Sequence, residues 1–319
     1  MRRRDALKGI FAAAAAPWIG GCLSDRILSP SLSTGSIGGA ATLIGAGDLH
    51  AAITGTLPRK RTAALVKGVL DADPAAVAFM VGDLTHNGTA AELTNYYHPT
   101  WGAFRDRTIF CIGNHDTEYV DPPGAAYYAY TKAPRYFARD IGDHWRAYVL
   151  NCSGASDGGA SPTVQADWLR ADLAAHPNRQ YLALFHYPMF ASVCEYHTML
   201  AGGTPKDMTW KGRVGPWWRI LQAAGCEFAL SGHAHRWERL RRMTADGVVS
   251  AKGIRQFVVG TAGVKLRGIV TQHPNSEKVV VAHGVVRFDL SADRYAWTFT
   301  DEFGAVRDTG TQLCRKVLA

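Results

Sequence analysis

Five nearly continuous apolar runs along the chain each end in polar side chains of the types that bind metals. The runs cover residues 41–48, 75–83, 108–116, 181–186 and 226–235. Such runs are typical of strands that are buried on both faces of a sheet. Between them we predict helices over residues of about 59–72, 163–175 and 215–224. The second helix would place Val164, Trp168 and Leu173 on one face. Strands that alternate with helices predict an α/β fold.

The C-terminal part of the chain has a different pattern. Strands are predicted over residues 254–263, 285–290 and 295–300. Tyr295, Trp297 and Phe299 alternate with smaller residues, which is the period of a half-buried strand. The short turn at 291–294 indicates antiparallel hairpins. We therefore predict one domain over residues 41–319, a layered α/β/β/α sandwich of mixed sheets with flanking helices.

The polar ends of the runs form an ordered set of carboxylate, amide and imidazole groups. In chain order the set reads Asp48-Leu49-His50, Gly82-Asp83, Gly113-Asn114-His115-Asp116, His186 and Gly232-His233-Ala234-His235. Each element alone has a structural explanation, such as a cap or a core histidine. Loops at the carboxyl ends of parallel strands, however, converge on one crevice. The set therefore predicts a single metal site.

The residue types also indicate the chemistry of that site. Carboxylate, amide oxygen and imidazole ligands suit Mn, Fe or Zn. A carboxylate can bridge two ions, and ions roughly 3.5–4 Å apart clamp both oxygens of an in-line displacement and generate hydroxide near neutral pH. We therefore expect two divalent or mixed-valence transition metal ions and attack by a metal-bound hydroxide.

The ordered pattern resembles that of the calcineurin-like metallophosphoesterase superfamily over residues 41 to about 300. The stretches His186-Tyr187-Pro188 and Gly232 to Arg239 are similar to the bacterial purple-acid-phosphatase-like branch. The resemblance implies a first metal held by Asp48, His50, Asp83 and His235. It implies a second metal held by Asp83, Asn114, His186 and His233, with Asp83 as the bridge. His115 would contact the phosphate and protonate the leaving oxygen, oriented by Asp116.

Two positions depart from purple acid phosphatases. They carry a metal-ligating tyrosine three residues after the aspartate of the GD motif, whereas this chain has His86. They also lack the histidine of D-x-H, which is His50 here. Either histidine could complete the first site, and we favour His50 as the ligand with His86 orienting it. His197 is a further candidate for substrate contact.

The N-terminus reads as an export signal. Residues 1–22 combine a basic start with an uncharged stretch that is too short to span a bilayer. The alternative is an N-terminal helix of the fold. Arg3-Arg4-Asp5-Ala6-Leu7-Lys8 resembles a twin-arginine signal, and Ile19-Gly20-Gly21-Cys22 resembles a lipobox with Cys22 as the lipidated residue. Residues 23–40 are rich in Ser, Gly and Pro and predict a flexible linker. We expect the periplasm or cell envelope as the location.

The net charge and the cysteine content limit which binding partners and disulfides we expect. The formal net charge is +8. The residues after the N-terminal segment still carry a mild excess of positive charge. This excess suits an anionic substrate, and we expect no specific nucleic-acid binding. Arg236, Arg239, Arg241 and Arg242 form the densest basic cluster, which predicts a solvated face. The six cysteines show no disulfide framework.

With the export signal, the resemblance to the purple-acid-phosphatase-like branch implies an exported phosphatase that hydrolyses phosphomonoesters. Phosphodiesters, including cyclic nucleotides, are the alternative substrates, because the same metal core serves both. A non-catalytic binding lipoprotein on the same scaffold is the alternative of another class. Retention of every motif residue argues against that third possibility.

Overall fold

The computed structural model describes residues 40–50, 56–117, 122–153, 161–194 and 211–318. The predicted signal at 1–22, nearly all of the predicted linker at 23–40, and His197 lie outside these residues. Within the described ranges, no helix is both long enough and apolar enough to cross a membrane.

The described residues form two large sheets and several helices. The strands are β1 (Ala41–Ala46), β2 (Val77–Val81), β3 (Thr108–Cys111), β4 (Phe137–Ile141), β5 (Trp145–Val149), β6 (Gln180–Leu184), β7 (Val193–Cys194), β8 (Phe228–Ser231), β9 (Trp237–Met243), β10 (Ile254–Val259), β11 (Ile269–Thr271), β12 (Ser276–Val280), β13 (Gly284–Leu290), β14 (Arg294–Asp301) and β15 (Val306–Leu313). The α-helices are α1 (Thr56–Ala72), α2 (Ala90–Glu92), α3 (Ala125–Thr131), α4 (Pro162–Ala175) and α5 (Lys211–Ala224). A π-helical turn at Leu93–Tyr97 and a 3-10 segment at Trp101–Arg107 precede β3.

Both large sheets are mixed, as the sequence predicts. The first has the order β15-β14-β13-β1-β2-β3, in which β1, β2 and β3 are parallel and β13 joins β1 antiparallel. The second has the order β12-β9-β10-β8-β6-β5-β4, with β10, β8, β6 and β5 parallel. A short two-stranded sheet pairs β11 with β7. The parallel strands of each sheet therefore deliver their carboxyl ends to a shared edge.

Three clusters of buried apolar side chains join the sheets and helices into layers. The central cluster packs side chains of both sheets together, including Leu43, Phe79, Leu182, Phe228 and Phe288. A second cluster covers the outer face of the first sheet with α1, and a third covers the outer face of the second sheet with α4 and α5. This arrangement confirms the predicted α/β/β/α sandwich.

The predicted helices are confirmed with shifted starts. α1 and α5 begin three and four residues earlier than predicted, and α5 continues through Pro216. The predicted buried face of α4 is partly wrong, because Val164 is exposed and Leu169 lies in the core with Leu173. Contact with α5 and the second sheet selects the Leu169 face, which the apolar spacing alone did not distinguish.

Candidate metal centre

The candidate ligands lie in loops just beyond the strands. β1 ends at Ala46, β2 at Val81, β3 at Cys111, β6 at Leu184 and β8 at Ser231. Positive φ angles occur at Asp48 (60°), His50 (47°), Asp83 (55°), His233 (67°) and His235 (41°), and at one other described non-glycine residue. Such angles are uncommon for residues with a Cβ and cluster at functional sites. The backbone is therefore strained where the candidate ligands are.

Four buried side chains form the first group. Asp48, His50, Asp83 and His235 each offer a ligand atom, and these atoms all lie within 4.8 Å of one another. The Nε2 atom of His50 is 3.1 Å from Asp83 Oδ2, and the Nε2 atom of His235 is 3.4 Å from Asp48 Oδ1. The group matches the residues that the resemblance implies for the first metal.

The second group shares Asp83 with the first. Asp83, His186 and His233 bring their ligand atoms within 4.8 Å of one another. The side-chain oxygen of Asn114 lies 3.1 Å from His186 Nε2 and 3.1 Å from His233 Nδ1. The structure therefore brings together all seven candidate ligands, with Asp83 between the two groups.

Backbone carbonyls set which nitrogen of each histidine faces the centre. The Nδ1–H of His186 donates to the carbonyl of Val81 at 2.8 Å, and that of His235 donates to the carbonyl of Lys265 at 3.0 Å. In both rings Nε2 is then the nitrogen that faces the carboxylates. Fixing the tautomer through the other ring nitrogen is the usual arrangement of metal-binding histidines.

The electrostatics of the donor set fit a cation. Burial raises the pKa of Asp48 to about 7, and Asp83 adds to this rise while His186 opposes it. Burial acts in the same direction on Asp83, but His186 and His50 outweigh it and hold its pKa well below the usual range. Burial would lower the pKa of His186, yet Asp83 and Asp48 raise it well above its usual value. Added positive charge is therefore favourable beside these buried carboxylates, and metal ions would supply it.

Two glycines leave room for this packing. Gly82 has a φ of 89°, which a residue with a Cβ rarely adopts. A Cβ on Gly113 would lie 2.2 Å from the Oδ1 atom of Asp83. Gly82 thus allows a sharp turn, and Gly113 allows the backbone to approach the carboxylate of Asp83 closely.

His86 and His115 lie beside the first group. The Nδ1 atom of His86 is 3.2 Å from Nδ1 of His50, on the side of His50 that faces away from Asp83. The His115 ring is 4.3 Å from the His50 ring, and its Nδ1–H donates to the carbonyl of His86 at 2.8 Å. His115 Nε2 is the ring nitrogen on the side opposite this hydrogen bond.

Asp116 does not orient the ring of His115 in the described residues. Its carboxylate accepts hydrogen bonds from the backbone of Asp83, Gly113 and Thr85 and from the Thr85 hydroxyl. The implied role of Asp116, to orient the His115 ring, is therefore wrong. Asp116 instead holds together the backbone of the loops after β2 and β3, and so positions the segment that carries His115. The imidazole itself is held by the His86 carbonyl.

The expected solvated arginine face is also wrong. Arg236 and Arg242 are buried, and Arg239 binds Asp308 and Glu277, which leaves Arg241 as the exposed member. The cause is that β9 lies inside the second sheet, where each guanidinium meets a carboxylate. Arg236 pairs with Glu238 at 2.9 Å, and both are fully buried.

This ion pair supports the loop with His233 and His235, a role that sequence reasoning missed. Arg236 Nη1 donates to the carbonyl of Ala234 at 3.2 Å. Glu238 accepts hydrogen bonds from the backbone and hydroxyl of Ser192, six residues after His186. The pair thus connects the loop after β8 with the segment after β6. The adjacency of Arg236 to His235 was the available sequence signal.

We expect Glu238→Gln to weaken this connection. It leaves the buried Arg236 charge uncompensated, which costs about 3–5 kcal/mol of unfolding free energy. Bound metal should also fall, because the loop with His233 and His235 is less restrained. Denaturant unfolding and elemental analysis measure the two effects. Arg241→Gln on the same strand is the matched control and should change the unfolding free energy by less than about 0.5 kcal/mol. Equal stability of both variants would contradict the role.

Comparisons with known proteins give a matching family model and structures of similar fold. The family model of calcineurin-like phosphoesterases matches residues 41–237. Purple acid phosphatase PPD1 from yellow lupin (Lupinus luteus) seeds superposes with a TM-score of 0.69 at 15% identity, covering 85% of this chain and 53% of that one. GAP50, the anchor in the inner membrane complex of Plasmodium, has a TM-score of 0.65 at 12% identity and coverages of 86% and 90%. PhoD has a TM-score of 0.56 at 13% identity and coverages of 88% and 70%.

The chain spans about half the length of the lupin protein. At these identities the structural neighbours show a shared fold. A search of curated proteins finds no significant match.

Proposed function

Because this chain belongs to the calcineurin-like phosphoesterase family, we propose that it is an exported phosphatase that hydrolyses phosphomonoesters at a centre of two transition metal ions. The class, a metal-dependent phosphoesterase, follows from the family, and the described residues include groups able to hold metal ions. The observation that carries the finer proposal is the position of Asp83 in both ligand groups. A carboxylate shared in this way suits a pair of ions.

Seven side chains would hold the two ions. Asp48, His50, Asp83 and His235 would hold one ion, and Asp83, Asn114, His186 and His233 the other. When bound, the ions supply Lewis-acid chemistry that activates water and neutralises phosphoryl charge. The contact of His86 with the far side of His50 supports His50 as the ligand and His86 as its orienting neighbour.

The proposal assigns His115 to the leaving group. Its backbone N–H donates to Asp83 Oδ1 at 2.9 Å, so the residue is attached to the centre of the site. Its Nδ1–H is committed to the His86 carbonyl, which directs Nε2 away from that contact. A protonated Nε2 would donate to the leaving oxygen and would contact the phosphoryl group before the transfer.

Two alternatives remain as hypotheses. Phosphodiesters are the second substrate class, because the same metal core serves both kinds of ester. The GAP50 neighbour is named as an anchor, so the fold alone does not establish catalysis. The complete donor set around Asp83 favours the enzyme.

A substrate screen tests the proposal. The purified protein, loaded with Mn, Fe or Zn, is assayed against phosphomonoesters and phosphodiesters, and its metal content is measured by elemental analysis. We expect close to two metal atoms per chain and a higher kcat/KM on monoesters. Full activity with one ion or none would contradict the two-metal centre, and a preference for diesters would favour the second substrate class.

Export is tested separately. We expect Arg3→Lys together with Arg4→Lys to retain the protein in the cytoplasm, because the twin-arginine route depends on the arginine pair. Cys22→Ala should release the protein from the membrane fraction if Cys22 carries lipid. Cell fractionation and immunoblotting measure both. Unchanged export of the double lysine variant would favour the general secretory route, and a wild type already soluble in the periplasm would refute the anchor.

A further inference from the structure

Arg59 is a buried arginine that packs on a loop in contact with Asp48, and it has no charged partner among the described residues. Arg59 is in the first turn of α1 and its side chain is 2% exposed. Among the described residues, none forms a hydrogen bond or ion pair with its guanidinium, and Nε and Nη1 are fully buried. The ring of Tyr96, whose centroid is 5.8 Å from Cζ, is its notable neighbour. A buried guanidinium without an anion is costly, and protein interiors rarely keep one.

One loop connects Arg59 with the metal centre. A Cβ on Gly263 would lie 2.5 Å from Cγ of Arg59, so the arginine stem packs directly on that residue. The next residue, Val264, donates its N–H to the carbonyl of Asp48 at 3.0 Å. The loop at 260–264 therefore contacts both the unpaired arginine and a candidate ligand.

The surroundings of Arg59 favour negative charge. α1 has 17 residues, and none in its first turn is acidic, so the positive end of the helix dipole is not neutralised by its own side chains. Burial lowers the pKa of Arg59, and Tyr96 is the opposing influence, with no carboxylate contributing. Arg267, farther along the same loop, adds positive charge near Asp48 and His235.

We propose that Arg59 and the N-terminus of α1 form a second anion subsite, which binds a carboxylate or phosphate on the alcohol half of the substrate. This inference rests on the proposed function and adds a substrate class to it. A guanidinium is well suited to bind such a group, and an arriving anion offsets the cost of the unpaired charge. The preferred substrates are then phosphomonoesters that carry a second anionic group.

Matched substrate pairs test the subsite. Alkyl phosphates of two to five carbons are compared with the same chains ending in a carboxylate. We expect the wild type to prefer the best-fitting carboxylated chain by about tenfold or more in kcat/KM, which corresponds to one good charged contact. Arg59→Gln should abolish that preference and leave hydrolysis of the uncharged chain within about twofold.

Two further variants separate charge from folding. Arg61→Gln is the matched control on the same helix, since Arg61 is partly exposed and pairs with Glu302 at 3.2 Å, and it should keep the preference. Arg59→Lys retains the charge without the fork and should keep part of the preference even if Arg59→Gln folds poorly. Melting temperature and metal content identify any variant that fails to fold.

The outcomes also distinguish this inference from the proposed function. The subsite is refuted if the wild type hydrolyses alkyl phosphates with no preference for a carboxylate at any chain length. It is also refuted if Arg59→Gln lowers kcat/KM equally on both substrates of a pair. Neither result contradicts the proposed phosphatase activity. If no phosphate ester is hydrolysed, the proposed function fails. Calorimetric titration of the ω-hydroxycarboxylates then tests the subsite alone, and equal binding to wild type and Arg59→Gln would overturn it.

Discussion

Asp83→Ala should lose most of both metal ions and lower kcat/KM by about 10⁴-fold or more. Asp83 belongs to both ligand groups, with Oδ2 lying 3.1 Å from His50 Nε2 and 3.2 Å from His186 Nε2. Each ion contributes several kcal/mol to stabilising the transition state, and each 1.36 kcal/mol is a factor of ten in rate. Elemental analysis and steady-state kinetics on the same preparation measure both effects.

A control separates this loss from general destabilisation. Asp289 is also a buried aspartate, but it pairs with Arg287 at 2.6 Å on β13. Asp289→Ala should lower the unfolding free energy while it keeps metal content and kcat. An Asp83→Ala protein that still contains two ions would show that Asp83 is not the shared ligand, and the two-metal assignment would have to be abandoned.

His115→Ala should keep both ions and the fold but slow the hydrolysis of an alkyl phosphate by about 10²–10⁴-fold, the usual contribution of general acid catalysis. His115 is half-buried, its ring stacks beside His86, and it is outside the four-residue ligand group around Asp48, while its ligand atom lies within 4.8 Å of those of His50 and His86. An alkoxide needs a proton as it leaves, whereas a nitrophenolate needs little. The rate loss should therefore be much smaller on nitrophenyl phosphate.

The comparison of the two substrates distinguishes three roles for His115. An equal loss on both would mean that His115 mainly binds the phosphoryl group. A loss of metal would make it a ligand. His98→Ala is the matched control, because His98 is exposed and hydrogen bonds to Tyr130 at 2.9 Å, and it should leave both rates unchanged.

Much of the fold and of the candidate site follows from local sequence patterns. The apolar runs predict β1, β2, β3, β6 and β8, because a strand buried on both faces excludes polar side chains over its whole length. The alternation at Tyr295, Trp297 and Phe299 predicts β14, whose three aromatic rings are buried. The strands that escaped prediction, such as β4 and β9, carry charged residues within them, which obscures the apolar pattern.

The sequence alone determined which residues could serve as ligands and which strands would present them. Residue type sets the possible ligand atoms, and the rule for parallel strand ends places them at one edge. Tertiary structure decided the partners. Asp116 supports a loop and not the His115 ring, Arg236 is buried on Glu238, and Arg59 packs on the loop that contacts Asp48 with no charged partner among the described residues. These contacts join residues that are distant in the chain or on different faces of a loop, and periodicity and composition do not encode them. Only the packing of the two sheets and their helices brings such groups together and determines which charges are compensated.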